Sequence, residues 1–410
     1  MQILMGGRGR HSNTTKQPMK PLTKLEDLLS PAQISERDGK PILSPNRTEE
    51  ISPIARHANA NNLAIEITGA GTKRTWGNPV TADLLLDTTH LTGVREHSWQ
   101  DLTATVGAGT TWTAMQRTLA EHNQFVALDP LWPETATVGG ILATNDSGPI
   151  RLKYGSLRDL VIGMTIVLAD GTIARSGGKV VKNVAGYDLH KLMIGAYGTL
   201  GVITEVTFRL HPLPQHMQTF TVKAGQAQQL APLIIAIRDS HLLTPALQLR
   251  GLIDESCRLD IQLDTHPEAK QNNILTDMTQ AAGLTLESIS DDVWTAREKL
   301  FHQESCIALK ATMSPSDVPH FTGVLSSYGG TSVTQAYGIM TAALHGTMDL
   351  AFHSLREEFE AKGGSVSLLQ QCEGIPSFGK GSGPLPLMRE IKHQFDPNRT
   401  LNPGRFFGGI

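Results

Sequence analysis

Two glycine loops carry the most legible chemistry of this chain. GAGT occurs in ITGAGTKRTWGNP (residues 67–79) and again in VGAGTTWTAM (residues 106–115), each after a short β-type run. Glycines in such turns leave backbone N–H groups bare, and bare amides hold phosphate. In the second copy, Thr110 or Thr111 can cap a helix with Trp112, Met115 and Leu119 on one apolar face, and a helix N-terminus attracts anions. The first copy runs into Gly77, Asn78 and Pro79, which forbid a helix. It nonetheless offers a nest of successive amides, with Lys73 as a nearby cation. Gly69-x-Gly71 followed by Asp87 mimics the start of a dinucleotide fingerprint. Arg74 stands at the third glycine position, however, and no helix fits between loop and acid, which disfavours a nicotinamide-type domain. Local physics alone does not rank the two copies.

Other reactive side chains are sparse. Cys257, Cys306 and Cys372 are the three cysteines, far apart and without a CxxC, which excludes a cysteine-ligated iron–sulfur cluster within the chain and argues against a disulfide framework. His345 and His353, in LHGTMDLAFH, stand eight apart, a spacing that does not suit two ligands on one helical face, so no metal is expected. A formal net charge of −3 over 410 residues gives no reason to expect nucleic acid as a partner. The longest apolar runs, 161–169 and 230–237, are too short to span a bilayer, and the opening turns polar too early for a signal peptide. A cytoplasmic setting is the expectation.

The elements that must position the glycine loops follow from periodicity. NRTEEISPIARHANANN puts Ile51, Ile54, Ala55 and Ala58 on one helical face. LAIEI, DLLLD, LTATVG, VIGMTIVLADG and LGVITEVTFRL read as strands, and TWTAMQRTLAEH as a helix. Beyond Leu213 the texture changes. AGQAQQLAPLIIAIRDS and DDVWTAREKLFHQE read as helices, the second through Val293, Leu300 and Phe301, and QLRGL, RLDIQL and SVSLLQ as strands. GTMDLAFHSLREEFEAKGG places Met348, Phe352, Leu355 and Phe359 on one stripe that Gly363 and Gly364 end. This half reads as an α+β unit with an antiparallel sheet and helices on one face. The expected division is a flexible lead (1–40), a nucleotide-binding domain (41–214), an α+β cap (215–385) and a returning C-terminal segment (386–410).

Three further stretches share small residues and exposed amides: DPLWPETATVGGILATNDSG, LKYGSLRDLVIG and VKNVAGYDLHKLMIGAYGTLGVITE. As an ordered set with the first GAGT, they resemble the FAD-binding domain shared by vanillyl-alcohol oxidases and p-cresol methylhydroxylase, over residues 41–214. Within that family, KVVKNVAGYDLHKLMIGAYGTLG and the tail FDPNRTLNPGRF most resemble the FAD-binding subunits of bacterial glycolate oxidases. The resemblance implies an α+β fold with a two-part FAD-binding domain of the p-cresol methylhydroxylase type. It also implies a second flavin subunit and an iron–sulfur subunit as partners, glycolate or a related 2-hydroxy acid as substrate, and at most a peripheral association with a membrane.

Position by position, the resemblance implies that Gly69, Ala70, Gly71, Thr72 and Lys73 cradle the FAD pyrophosphate, which makes the second GAGT a structural turn. It brings Pro130, Leu131, Trp132, Thr137, Gly139 and Gly140 to the dinucleotide, with Thr144, Ser147 and Gly148 along it. Tyr154 and Gly155 form the family's YG turn, and Val202 and Ile203 meet the adenine half. Asp188 is expected to cap the helix LHKLMIG, and Tyr154, Tyr187 and Tyr197 are by default packing tyrosines. Residues 68–77 contain no histidine, so the FAD is expected to be noncovalent. The cap lacks the family's HPGDGN-x-H-type run, and Tyr197 stands where many relatives have glutamate. No catalytic base is assigned. Arg405 faces either the cofactor or a structural ion pair.

Overall fold

The computed structural model describes residues 28–178, 188–265, 270–303, 306–345, 349–380 and 384–410; Tyr187, Met348 and most of the expected lead lie outside the described residues. The first sheet has the order β1-β2-β4-β3, built from β1 (Ile34–Arg37), β2 (Lys40–Leu43), β3 (Ile65–Thr68) and β4 (Leu84–Asp87). It takes in Ile34–Arg37, ahead of the boundary at 41 expected from sequence. β4 runs parallel to both β2 and β3, so helix α1 (Thr48–Ala60) has to cross back over the sheet. Its buried face is Ile51, Ile54, Ala55 and Ala58, the stripe its spacing predicts. These side chains pack on Leu43, Leu63, Leu84 and Leu86, and burying each large one is worth about 1.5–3 kcal/mol.

The second sheet is antiparallel, in the order β5-β6-β10-β8-β9. Its strands are β5 (Val94–Ser98), β6 (Thr103–Gly107) and, after the two-residue β7 (Gln124–Phe125), β8 (Val161–Val167), β9 (Ile173–Gly177) and β10 (Val202–Arg209); β11 (His211–Pro212) pairs with β7. Helices α2 (Trp112–Ala120) and α3 (Val138–Thr144) share its core, where Trp112 meets Phe208 edge-on at 5.9 Å. Thr111 is the N-cap of α2, its hydroxyl accepting from the Ala114 N–H. Asp188 does not cap a helix: the short turn His190–Met193 has Leu189 at its N-cap, and the Asp188 carboxylate pairs with Lys191 at 2.7 Å.

The cap begins at β12 (Met217–Ala224) and continues through β13 (Ala246–Gly251), β14 (Cys257–Asp264), β15 (Leu286–Ile289), β16 (Cys306–Thr312), β17 (Gly330–Gln335), β18 (Ile339–His345) and β19 (Ser365–Leu368). These form one eight-stranded antiparallel sheet, β15-β12-β14-β13-β17-β18-β16-β19. The helices 231–238, 271–281, 318–327 and 349–361 cover one face, with Phe321, Phe352 and Phe359 fully buried among them. The other face turns to the nucleotide-binding half through Ala308, Lys310 and Gln335, which follows from the two-residue alternation of a strand. DDVWTAREKLFHQE is broken into 3₁₀ turns around the single α-helical turn Ala296–Lys299, not one helix. The chain closes with the helix Leu385–Phe395 and a tail in which Leu401 bridges Ile65 of β3 in parallel.

Candidate cofactor cleft

The two GAGT copies differ in what their amides do. In the second, every amide is used inside the protein: Gly107 N donates to Gly93 O, Ala108 N to Thr204 O, Gly109 N to Leu91 O and Thr110 N to Gly107 O, all at 2.9–3.1 Å. Its carbonyls at 108 and 110 are taken too, since Gly139 N donates to Ala108 O and Val138 N to Thr110 O. A Cβ on Gly109 would stand 2.2 Å from the Thr88 carbonyl, so this loop is a packed joint between the sheets. In the first copy, no backbone N–H from residue 69 to 73 donates to an acceptor among the described residues. Bare amides in succession are an anion nest. Gly71, at φ +76, has no atom within 4 Å of where a Cβ would stand except the Thr68 hydroxyl at 4.0 Å, so its open side faces the cleft.

That loop opens on a cleft between the two sheets and the C-terminal tail. Gly69, Ala70, Gly71, Thr72, Lys73, Thr137, Gly139, Gly140, Thr144 and Ile203 come together along it. Thr68, Arg74, Thr88, Tyr197 and Asn402 line it as well without having been assigned from sequence, and so does Arg405, left open there between cofactor and ion pair, which stands 3.9 Å from Glu66. Arg74 makes a bidentate pair with the buried Glu66 at 2.7 and 2.8 Å, which pulls it away from the nest. Arg405 donates from Nη2 to the carbonyls of Lys73 (3.2 Å) and Arg74 (3.1 Å), so its charge holds the loop's acceptors on the side opposite its amides. Asn402 stitches the tail to both walls: its Oδ1 accepts from Ile67 N at 2.8 Å and its Nδ2 donates to Tyr197 O at 2.7 Å.

Other assigned residues stand elsewhere. The Lys73 ammonium does not stay with its own loop's amides. It is buried beneath the loop, 3.4 Å from Asp146 and over the rings of Trp132 and Trp76 at 5.1 and 5.6 Å. Pro130 and Leu131 border a different and larger groove, of about 1180 Å³, between α2 and residues 294–298 of the cap. Trp132 packs on Phe301 at 4.8 Å. The Ser147 carbonyl accepts from Arg297 and Gln335, and Gly148 packs on the Asp129 carboxyl. Tyr154 rests on Phe125 and His211, and Gly155 turns at φ +86 beside Asp159. Val202 is in the core under α1.

Between the two clefts lies a buried ionic cluster. Asp146 accepts from Leu131 N at 2.7 Å and from Arg297 Nη1 at 2.9 Å, beside Lys73. Burial alone would raise its carboxyl, but Arg297 and Lys73 outweigh that and hold it below the usual carboxylate range. Burial pushes Lys310 down to about 8 against the pull of Asp146, and it pushes Asp129 up to about 7 against Arg297. Arg297 also donates to the Asp129 carbonyl at 3.0 Å, so one cap side chain ties three points of the nucleotide-binding half. Sequence reading passed over it, although its position was a signal. Four residues after Val293 and three before Leu300, it puts a charge on an apolar helical stripe, and a charge there needs a buried partner.

Residues 40–177 match the FAD binding domain family. The chain is 38% identical over 179 residues to glycolate oxidase subunit GlcD of Bacillus subtilis, covering 43% of this chain and 38% of that protein. It is 27% identical to D-lactate dehydrogenase of Archaeoglobus fulgidus, over 89% of this chain and 90% of the other. With glycolate oxidase subunit GlcE of Escherichia coli the identity is 29%, over 86% of this chain and 95% of the other. Among solved structures, p-cresol methylhydroxylase superposes with a TM-score of 0.71 at 17% identity, covering 89% of this chain and 88% of that one, which shows a shared fold. The nest of bare amides fits a pyrophosphate, and it opens along one wall of the cleft.

Proposed function

The chain carries an FAD binding domain within the p-cresol methylhydroxylase fold, and on that premise we propose that it is the FAD-binding subunit of a glycolate oxidase (glycolate dehydrogenase) assembly, an FAD-dependent oxidoreductase of 2-hydroxy acids. The observation that carries this reading is the run of unpaired amides at residues 69–73, opening on a cleft that the C-terminal tail completes. Bound FAD supplies a two-electron acceptor for the hydrogen on the carbon that bears the substrate hydroxyl. The chain's own part is to bind and orient. The amides of residues 69–73 hold the pyrophosphate, Thr137, Gly139, Gly140 and Thr144 form the opposite wall, and Arg405 fixes the loop. The expected hold is noncovalent, since residues 68–77 contain no histidine.

Oxidising a 2-hydroxy acid also needs a base for the hydroxyl proton and a cation for the carboxylate. Among the described residues, no cap side chain lines this cleft, and Arg297 directs its charge to Asp146 and to backbone carbonyls. That arrangement supports a division of labour. A second flavin subunit, of the kind the GlcD similarity points to, would supply the substrate ligands. An iron–sulfur subunit would carry electrons onward as glycolate becomes glyoxylate, a role that three dispersed cysteines do not fill. The near full-length match to D-lactate dehydrogenase favours a second reading, a stand-alone 2-hydroxy-acid dehydrogenase.

Expression alone and together with candidate flavin and iron–sulfur subunits separates the readings. We expect the isolated chain to be yellow, to release its flavin on acid precipitation, and to keep it oxidised under anaerobic glycolate or D-lactate, while the assembly is bleached by glycolate. Bleaching of the isolated chain would favour the stand-alone enzyme. A flavin on this chain that stays oxidised while the assembly turns over would make it a scaffold. A chain that takes up no flavin in any combination would end the proposal.

A further inference from the structure

Tyr197 is held in an uncommon posture for a packing residue. Its backbone is left-handed, at φ +55, a conformation that costs a non-glycine residue about 1 kcal/mol or more. Two hydrogen bonds fix it there: Tyr197 N donates to Ala143 O at 2.8 Å, and Tyr197 O accepts from Asn402 Nδ2. The ring stacks on Phe406 at 5.3 Å and meets Phe378 edge-on at 5.8 Å. Gly77 leaves room for it, because a Cβ there would stand 3.3 Å from the ring. With the backbone pinned and the ring sandwiched, the phenol has one orientation, and the residue lines the cleft of the bare amides. Its hydroxyl makes no hydrogen bond among the described residues, although the ring is largely enclosed. The hydroxyl is not among the buried orphan atoms, so it is open to the cleft and can meet a ligand there.

We propose that the Tyr197 hydroxyl is a hydrogen-bond donor to the flavin half of bound FAD, an inference that rests on the FAD reading above. The side of the cleft it occupies decides which half. Its neighbour Phe378 follows the last cap strand, and Trp76 beside it joins Leu131, Ala308 and Leu369 in the small core where the cap sheet meets the phosphate loop. A redox ring that serves a substrate has to lie toward the cap, whereas Thr88 follows β4 and Ile203 lies in β10, both in the nucleotide-binding half. Burial pushes the phenol up to about 12, against the opposing effect of Arg405, so the group stays protonated and acts as a donor at every working pH. Flavin ring nitrogens and carbonyls and ribityl oxygens are acceptors of the matching kind.

The test uses the full chain, stripped of flavin, with FAD and ADP as separate probes. Tyr197→Phe keeps the ring in its stack, so the melting temperature of the flavin-free protein should not move. Its FAD dissociation constant should rise about two- to twelve-fold, the loss of one hydrogen bond of about 0.5–1.5 kcal/mol, with ADP binding unchanged and the visible band of bound flavin altered. Unchanged FAD affinity and spectrum in Tyr197→Phe would overturn the inference, and so would an equal loss with ADP, which would place the contact on the other half. Wild-type protein that binds neither probe would remove the FAD reading itself, an outcome distinct from either.

Discussion

At the scale of single residues, the two glycine loops make opposite predictions. An alanine at Gly71 keeps its Cβ clear of protein atoms but must adopt a left-handed backbone, so Gly71→Ala should cost about 1–2 kcal/mol of stability and weaken FAD by more, since its methyl stands in the cleft. Gly109→Ala meets the Thr88 and Thr89 carbonyls at 2.2 and 2.6 Å, so it should lower the melting temperature sharply with no cofactor-specific effect beyond that. Parallel melting curves and FAD titrations of the two variants check the contrast; equal losses of affinity at matched stability would contradict it. Asp129 makes a pH prediction. Its folded value of about 7 lies above the 3.8 of an unhindered aspartate, so between about pH 4 and 7 the unfolded chain gives up this proton while the folded chain keeps it. The folded state then binds more protons, and this group's contribution to stability falls as pH rises through that window and is level above it. Urea midpoints for wild type should therefore carry a downward component between pH 5 and 7.5 that Asp129→Asn removes. Retention of the full slope in the variant would assign it to other groups.

At the scale of elements, the C-terminal tail is as much a part of the cleft as the glycine loop. Asn402 lies in the left-handed region at φ +41 and satisfies the Ile67 N–H on one wall and the Tyr197 carbonyl on the other. Asn402→Ala leaves both buried groups without partners at a cost of about 1–3 kcal/mol each, and it should loosen FAD even at temperatures where the apoprotein remains folded. Stopped-flow release of flavin measures this, and an unchanged release rate would confine the tail to a packing role. How much of this could be read from sequence depended on the kind of signal. The α1 stripe, the alternating strands and a helix cap at Thr110 or Thr111 were legible because they are local and periodic. The choice between the two GAGT copies was not, since it depends on which carbonyls lie opposite, and those come from residues as distant as Thr204. The same holds for Lys73: its position in the loop could be read from sequence, but its side-chain direction is set by Asp146, more than one element away. The helix expected over 291–304 breaks into turns, and Arg297 reaches the other half from its single α-helical turn.

At the scale of the whole molecule, polar contacts join the two halves, and Arg297, seated in the other domain's backbone beside Lys310 and Gln335, makes the most of them. The apolar contact between phosphate loop and cap is small, four buried residues with Trp132, Tyr197 and Phe301 packed against them. Beside it, Arg297 bonds Asp146 and the carbonyls of Ser147 and Asp129, and Glu298 accepts from Trp132 N at 2.8 Å. Removing one member of a buried pair strands the other, at about 3–5 kcal/mol. Arg297→Met keeps much of the side chain's bulk and removes the charge. Asp146 then retains Lys73 and the Leu131 N–H, so the loss should fall near the lower end, about 3 kcal/mol. Because each half has its own core, that loss should act on the coupling between them before it acts on either. The expected signature is a single wild-type unfolding transition that separates into two in the variant, with the earlier one accompanied by flavin release, because the phosphate loop rests on Lys73 and Lys73 on Asp146. Calorimetry with flavin fluorescence followed in the same scan distinguishes this from simple destabilisation. One transition at a lower temperature would mean that the domains unfold together whatever Arg297 does, and the clasp would then be an ordinary buried ion pair.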